Sequence, residues 1–245
     1  MIEPTMNREP FPQPESLDGR AVHLWMVSLT GKIPPGHPVF GLASPAERAR
    51  ADRREPLERD RFLLAHGLLR LLLGKYLGIS PGTIAIETSQ YGKPCLAGQP
   101  VEFNLSHTPG MVLFGFAREG AVGVDIERKD READYLGVSH RYFSAEEYEV
   151  LSELAGTEFQ DGFFTLWTRK EALSKAIGRG LRIPLRTVRV NGQAPLRTSF
   201  EGQQWHVEDI AVPGYCAAFA VPFEPEEVRL FSGTDADLGA LLSEK

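Results

Sequence analysis

The sequence is short of cysteine, with two in 245 residues, and that removes several function classes. Cys95 and Cys216 stand far apart and match neither a metal-ligand nor a redox spacing, so both read as free thiols. No apolar run approaches the roughly 20 residues of a membrane-spanning helix. The start, Met1-Ile2-Glu3-Pro4, lacks the basic opening and apolar centre of a secretory signal, so a cytoplasmic protein is expected. A basic excess is missing too. The net charge of −6 argues against a general nucleic-acid binder, while leaving room for a local basic pocket on a phosphorylated small molecule. What is present is ordinary globular composition, 42% hydrophobic and 24% charged, in a chain long enough for one large domain or two small ones.

Residues 1–18 carry Pro4, Pro10, Pro12 and Pro14 among few apolar groups and read as a flexible extension. Arg20 to Leu29 predicts the first strand. Ser44-Pro45-Ala46-Glu47 has the pattern of a helix start with a capping box. The arginines that follow, Arg48 to Arg61, are nearly cancelled by neighbouring acids, which predicts a solvated face rather than a phosphate site. A strong helix is expected from about Leu57 to Leu77, capped by Gly78. Short strands are expected at 84–88 and 101–106. Met111 to Ala117 and Ala121 to Glu127 predict a hairpin turned by Arg118-Glu119-Gly120, covered on both faces. Ser144-Ala145-Glu146-Glu147 repeats the capping-box pattern. A second long helix is expected from near Phe159 to Gly178–Gly180, then strands at 188–190, 205–210, 215–221 and 228–231 and a terminal helix over 234–242. Thr108-Pro109-Gly110 and Val212-Pro213-Gly214 each precede an apolar strand, a faint sign of internal repetition.

Three pieces carry chemistry. Asp125-Ile126-Glu127 ends a strand, and the two-residue period sends both carboxylates to one side. Two acids side by side repel unless a cation lies between them, and a magnesium ion offers the right hardness for oxygen ligands. Trp167, Glu171 and Lys175, spaced by four, share a helix face. Taken alone, Glu171 and Lys175 are equally an exposed ion pair. Ser106-His107 closes a neighbouring strand, where a histidine can be purely structural.

Phe103-Asn104-Leu105-Ser106-His107, Gly123-Val124-Asp125-Ile126-Glu127 and the run Trp167 to Leu181, in that order, resemble the 4′-phosphopantetheinyl transferases of the Sfp-like, surfactin-synthetase-activating type. Tyr91-Gly92-Lys93-Pro94 resembles the motif that precedes them in that family. The resemblance implies an α+β fold of two pseudo-symmetric subdomains, here 19–119 and 120–245, the second with an acidic tail. It implies transfer of the 4′-phosphopantetheine arm of coenzyme A to a serine of an apo carrier protein, releasing 3′,5′-ADP, by a monomer. It further implies Mg²⁺ on Asp125, Glu127 and Glu171, with Glu171 either ligand or proton acceptor. Lys175 is expected on the leaving phosphate, with Lys170 next in line. Lys93, Pro94, Ser106 and His107, with Arg50 and Arg61, are expected on coenzyme A, although Glu47 stands where a base would be expected. Trp167, Phe164 and Leu181 are expected beneath the site. A magnesium-dependent phosphohydrolase would explain the carboxylates but not the order of motifs. A non-catalytic carrier-binding module would not need the complete charged set.

Overall fold

The computed structural model describes residues 17–29, 37–98, 100–130 and 134–235, with the backbone alone at Leu181. The expected extension therefore lies outside the described residues, apart from Leu17, which is buried, and Asp18, which is exposed. The chain runs β1 (Ala21–Ser28), α1 (Pro38–Gly41), α2 (Pro45–Ala51), α3 (Pro56–Leu77), β2 (Glu87–Thr88), β3 (Pro94–Cys95), β4 (Glu102–Thr108), β5 (Met111–Ala117) and β6 (Gly123–Arg128). It continues with α4 (Tyr135–Tyr142), α5 (Ala145–Ser152), α6 (Gly156–Ile177), β7 (Leu196–Phe200), β8 (Gln203–Val212), β9 (Tyr215–Val221) and β10 (Glu227–Thr234).

Two four-stranded sheets hold the molecule together, in the orders β10-β1-β5-β4 and β6-β9-β8-β7. Each contains the same core, a first strand beside the second arm of a hairpin: β1-β5-β4 in one sheet, β6-β9-β8 in the other. Pro109-Gly110 and Pro213-Gly214 turn the two hairpins, each glycine at positive φ (85° and 78°) as a type II turn needs. The faint repeat in the sequence is thus real. The sheets meet face to face through Val22, Leu24, Leu113, Val124, Ile126, Ile210 and Phe219. The long helices cover the outer faces. α3 packs Leu64, Leu68 and Leu72 on Trp25, Phe103 and Phe114, and α6 packs Phe164, Ala172 and Leu173 near Val207 and Ala218.

Several sequence expectations change. Met111–Ala117 and the following apolar strand form no hairpin: β5 pairs with β1 and β4, and β6 pairs with β9. β5 is apolar on both faces and β6 on the face that meets the opposing sheet, so each is buried between a helix and that sheet, and Arg118-Glu119-Gly120 carries the chain across instead of turning it back. The stretch 188–190 is not a strand but follows a single 3₁₀ turn, Leu185–Thr187. Only Glu87–Thr88 of 84–88 is extended. Thr234 ends a strand, and residues 236–242 of the expected terminal helix lie outside the described residues. β10 pairs in parallel with β1 from Ala21↔Glu227 to Ser28↔Thr234, so this stretch of the second half is part of the first sheet.

A candidate active site between the two halves

β6 presents Val124 and Ile126 to the opposing sheet, and therefore Asp125 and Glu127 to the other side, facing α6. Gly123 lets the helix come close. A Cβ there would stand 2.0 Å from the carbonyl oxygen of Ala172 and 2.3 Å from the nitrogen of Ala176. Any side chain would push α6 away, so this glycine fixes the distance between Asp125 and the helical Lys175. α6 itself ends where Gly178 turns left-handed, at φ 80°.

At the contact, Lys175 Nζ donates to Asp125 Oδ1 (2.6 Å) and to Ser106 Oγ (2.9 Å), while Ser106 Oγ also donates to the same oxygen (2.8 Å). Asp125 is buried, and its Oδ2 has no hydrogen-bond partner. Glu127 Oε2 accepts from Thr108 Oγ1 at 3.5 Å. Burial, then the neighbouring Asp125 and Glu127 charges, push the Glu171 carboxyl up to about 7 against the opposing pull of Lys175. The three carboxylates thus strain against one another. An orphaned buried oxygen and a carboxylate raised by its neighbours are what a hard divalent cation would relieve, so the donor set fits magnesium. Among the described residues, no three His, Cys, Asp or Glu side chains already stand as a ready-made metal site, and Lys175 holds one Asp125 oxygen.

These groups line a cleft of about 440 Å³ with Arg50, Arg54, Phe62, His66, Pro94, His107 and Trp167. One end is acidic and the other basic. The guanidinium groups of Arg54 and Arg50 lie over the Phe62 ring at 4.6 and 5.4 Å. The cleft walls, then the Lys175 and Arg54 cations, hold the His107 imidazole below its usual range. A second cavity of about 500 Å³ shares His107 and Glu127 and adds Arg61, Thr108 and Arg128.

The structure brings Asp125, Glu127, Glu171, Lys175, Ser106, His107, Pro94 and Arg50 into one cleft. Arg61 lines the adjoining cavity, with Nη1 2.6 Å from Glu58 Oε1. Lys93 approaches from a smaller pocket shared with Lys175, but its Nζ donates to the carbonyls of Val122 (3.1 Å) and Ala176 (3.2 Å), tying β6 to the end of α6. Desolvation pushes its ammonium below the usual lysine range. Lys170 is not in the cleft. It is fully buried, donating to the carbonyls of Leu185 (2.8 Å) and Val188 (2.6 Å) beside Glu147 (2.8 Å). Trp167 is half-buried, stacked on Phe163 at 6.2 Å, and lines the cleft as well as supporting it. Phe164 packs in the core, and the side chain of Leu181 lies outside the described residues. Arg54, Phe62, His66 and Thr88 line the cleft although the sequence motifs did not single them out. The arginine was hidden in a charge-balanced run and the histidine in an apolar helix.

Residues 121–220 match the model of the 4′-phosphopantetheinyl transferase superfamily. The 4′-phosphopantetheinyl transferase HetI of Nostoc is 35% identical over 178 residues, covering 70% of this chain and 75% of its own. The 4′-phosphopantetheinyl transferase Sfp of Bacillus subtilis is 31% identical over 200 residues, 77% of this chain and 87% of its own. A solved holo-(acyl-carrier-protein) synthase from Bacillus anthracis, in complex with CoA (3′,5′-ADP), covers 41% of this chain and 93% of its own with a TM-score of 0.36 and 22% identity. With β6 and α6 both inside the matched region, and relatives this similar over most of their length, the chain belongs to the 4′-phosphopantetheinyl transferase superfamily and is an enzyme of that class.

Proposed function

We propose that the cleft transfers the 4′-phosphopantetheine of coenzyme A to a serine of an apo carrier protein, with Mg²⁺, and releases 3′,5′-ADP. The observation that carries this reading is the buried Asp125, fixed by Lys175 and Ser106 yet unpartnered at Oδ2, beside a Glu171 raised to about 7. Asp125, Glu127 and Glu171 would hold the ion, which when bound neutralises charge on the pyrophosphate. The serine oxygen forms the new bond to the phosphorus that bears pantetheine. The bond from that phosphorus to the bridging oxygen breaks, and the electron pair leaves on 3′,5′-ADP.

The side chains have separable tasks in this scheme. Lys175 carries three N–H donors, of which Asp125 and Ser106 take two, so the third is available for a phosphate oxygen. Its anchoring costs no reorganisation when charge develops on the leaving group. Arg50, His107 and Pro94 line the path for the nucleotide end. A carboxyl near 7 suits the removal of a serine proton at neutral pH, and a carboxylate suits a metal; Glu171 can be assigned to one or the other by substitution. Glu171→Gln with normal magnesium affinity but no transfer identifies the proton acceptor, whereas loss of both identifies the ligand.

The deciding experiment incubates the protein with coenzyme A, Mg²⁺ and several apo carrier domains, read by intact mass. Gain of one phosphopantetheine on a carrier supports the reading. No gain on any carrier type sinks it, and coenzyme A cleaved to 4′-phosphopantetheine without a carrier indicates hydrolysis instead. A cytoplasmic monomer is the state in which we expect the enzyme to act.

A further inference from the structure

We propose that Asn104 is a positioning residue for the transfer, holding by its backbone the strand that carries Asp125 and Glu127. The inference rests on the reading of the cleft as the transfer site. It begins from two strand edges that meet without pairing. Among the described strands, β4 ends one sheet, bonded to β5 alone, and β6 ends the other, bonded to β9 alone. The two lie against each other where the halves join, yet no backbone ladder links them among the described residues. An edge strand leaves N–H and C=O groups open, and where these are buried they need partners from elsewhere.

Side chains of the first half supply them. Asn104 Oδ1 accepts from the N–H of Val124 at 3.0 Å, between two buried residues. Two positions on, Ser106 Oγ donates to Asp125 Oδ1, and two further, Thr108 Oγ1 accepts from the N–H of Arg128 at 3.3 Å. Residues 104, 106 and 108 share one face of β4, so a single strand face grips β6 along its length. Lys93 takes the carbonyl of Val122 just before β6 begins. Ser106 and Thr108 also touch the site carboxylates, whereas the side chain of Asn104 bonds backbone.

Val124 directly precedes Asp125, and Gly123 before it is where α6 comes close. β6 is thus fixed from two sides at its start, by the helix at Gly123 and by Asn104 at Val124. Within the Asn104 amide only the oxygen can accept from an N–H, which sets the orientation of that side chain. Removing the acceptor leaves a buried N–H unpaired, and the strand gains by shifting toward water or another acceptor. Asp125 Oδ1 then leaves its place 2.6 Å from Lys175 Nζ. A shift of about 1 Å at the reacting groups costs on the order of 10²-fold in rate, while a bound nucleotide keeps its other contacts. Asn104 also borders the smaller pocket that holds Lys93 and Lys175, so direct contact with substrate is the rival role.

The test compares wild type, Asn104→Leu and Asn104→Asp, all close in side-chain size. It measures steady-state transfer to one carrier and, on the protein alone, amide hydrogen exchange at Val124 by NMR. Asn104→Leu cannot accept, so kcat is expected to fall roughly ten- to hundredfold with KM for coenzyme A within about twofold. Its Val124 amide is expected to exchange at least about tenfold faster than in wild type. Asn104→Asp keeps an acceptor and is expected to restore both the protection of Val124 and most of kcat. It decides the matter should the leucine variant fold poorly: a lost kcat with Val124 still protected overturns the role. Three results with the leucine variant also overturn it: a raised KM at unchanged kcat, which marks a substrate contact, a lost kcat with Val124 protected, or unchanged kinetics. A wild type that transfers nothing overturns the cleft reading itself, whereas in an active wild type the variants bear on Asn104 alone.

Discussion

The two long helices are matched in length and in the way they end. α3 and α6 each span 22 residues and stop at a left-handed glycine. Each sends one cation to a capping-box glutamate. They differ in what they offer the cleft. α6 contributes Trp167, Glu171 and Lys175, whereas α3 contributes Phe62 and His66. At the places 100 residues before Glu171 and Asp125 stand Leu71 and Trp25, both in the apolar core. The same scaffold thus supports an acidic wall in one copy and an aromatic, basic wall in the other. The parts that hold the backbone recur, and the parts that face the ligand do not.

The most severe way to probe this division is at the acidic wall. Asp125→Asn is expected to reduce kcat/KM for carrier modification on the order of 10³-fold, because it removes several kcal/mol of charge complementarity without changing shape. Intact-mass time courses, with circular dichroism to check folding, measure it. Activity within tenfold of wild type would remove Asp125 from the site.

The two helix-to-glutamate links come next. Lys170→Met leaves the wholly buried Glu147 charge without a cation, held only by the backbone N–H groups of Ser144 and Val190, and is expected to cost about 3–5 kcal/mol of unfolding free energy. Arg70→Met is expected to cost less, because Glu47 is less completely buried than Glu147 and keeps a side-chain partner, His66, beside the Ser44 N–H. Urea denaturation ranks them, and the reverse order would mean that the copies are not equivalent.

Acid sharpens the same point. Burial alone raises the Glu47 carboxyl, but His66, the Ser44 backbone and Arg70 together bring it down to about 2. A folded value below the unfolded one stabilises the fold above about pH 4.5, and that stability is lost as pH falls through about 2. The loss is on the order of 3 kcal/mol. Urea melts between pH 6 and pH 2.5 are expected to show a shallower decline for Glu47→Gln than for wild type. Identical declines would refute the assignment. The smallest effect is expected for Arg50→Ala, about tenfold weaker coenzyme A binding by calorimetry. Unchanged affinity would exclude that exposed arginine.

The sequence and the fold agree where local chemistry decides. Both capping boxes, both helix-ending glycines and the alternation at Asp125-Ile126-Glu127 depend on neighbours in the chain, and all three formed. The missed features depend on distant partners. Nothing local in Met111–Ala117 says that it pairs with β1 rather than with β6, since strands apolar on both faces fit either sheet. Lys170 and Lys175 flank Glu171 in one helix. Only the position of Glu147, 23 residues earlier, sends the first inward. Glu47 looked out of place among arginines for the same reason: its partners lie on α3.

The parallel pairing of β1 with β10 has a mechanical consequence. Eight residue pairs in register join a strand at one end of the described chain to a strand at the other. Tension applied to the two outer ends would load that ladder in shear, stressing its hydrogen bonds together rather than one after another. Trp25 stacked on Phe231 at 4.3 Å adds side-chain friction to the slide. Such a clasp has to rupture before load reaches the two halves, so the slot between them keeps its width under strain.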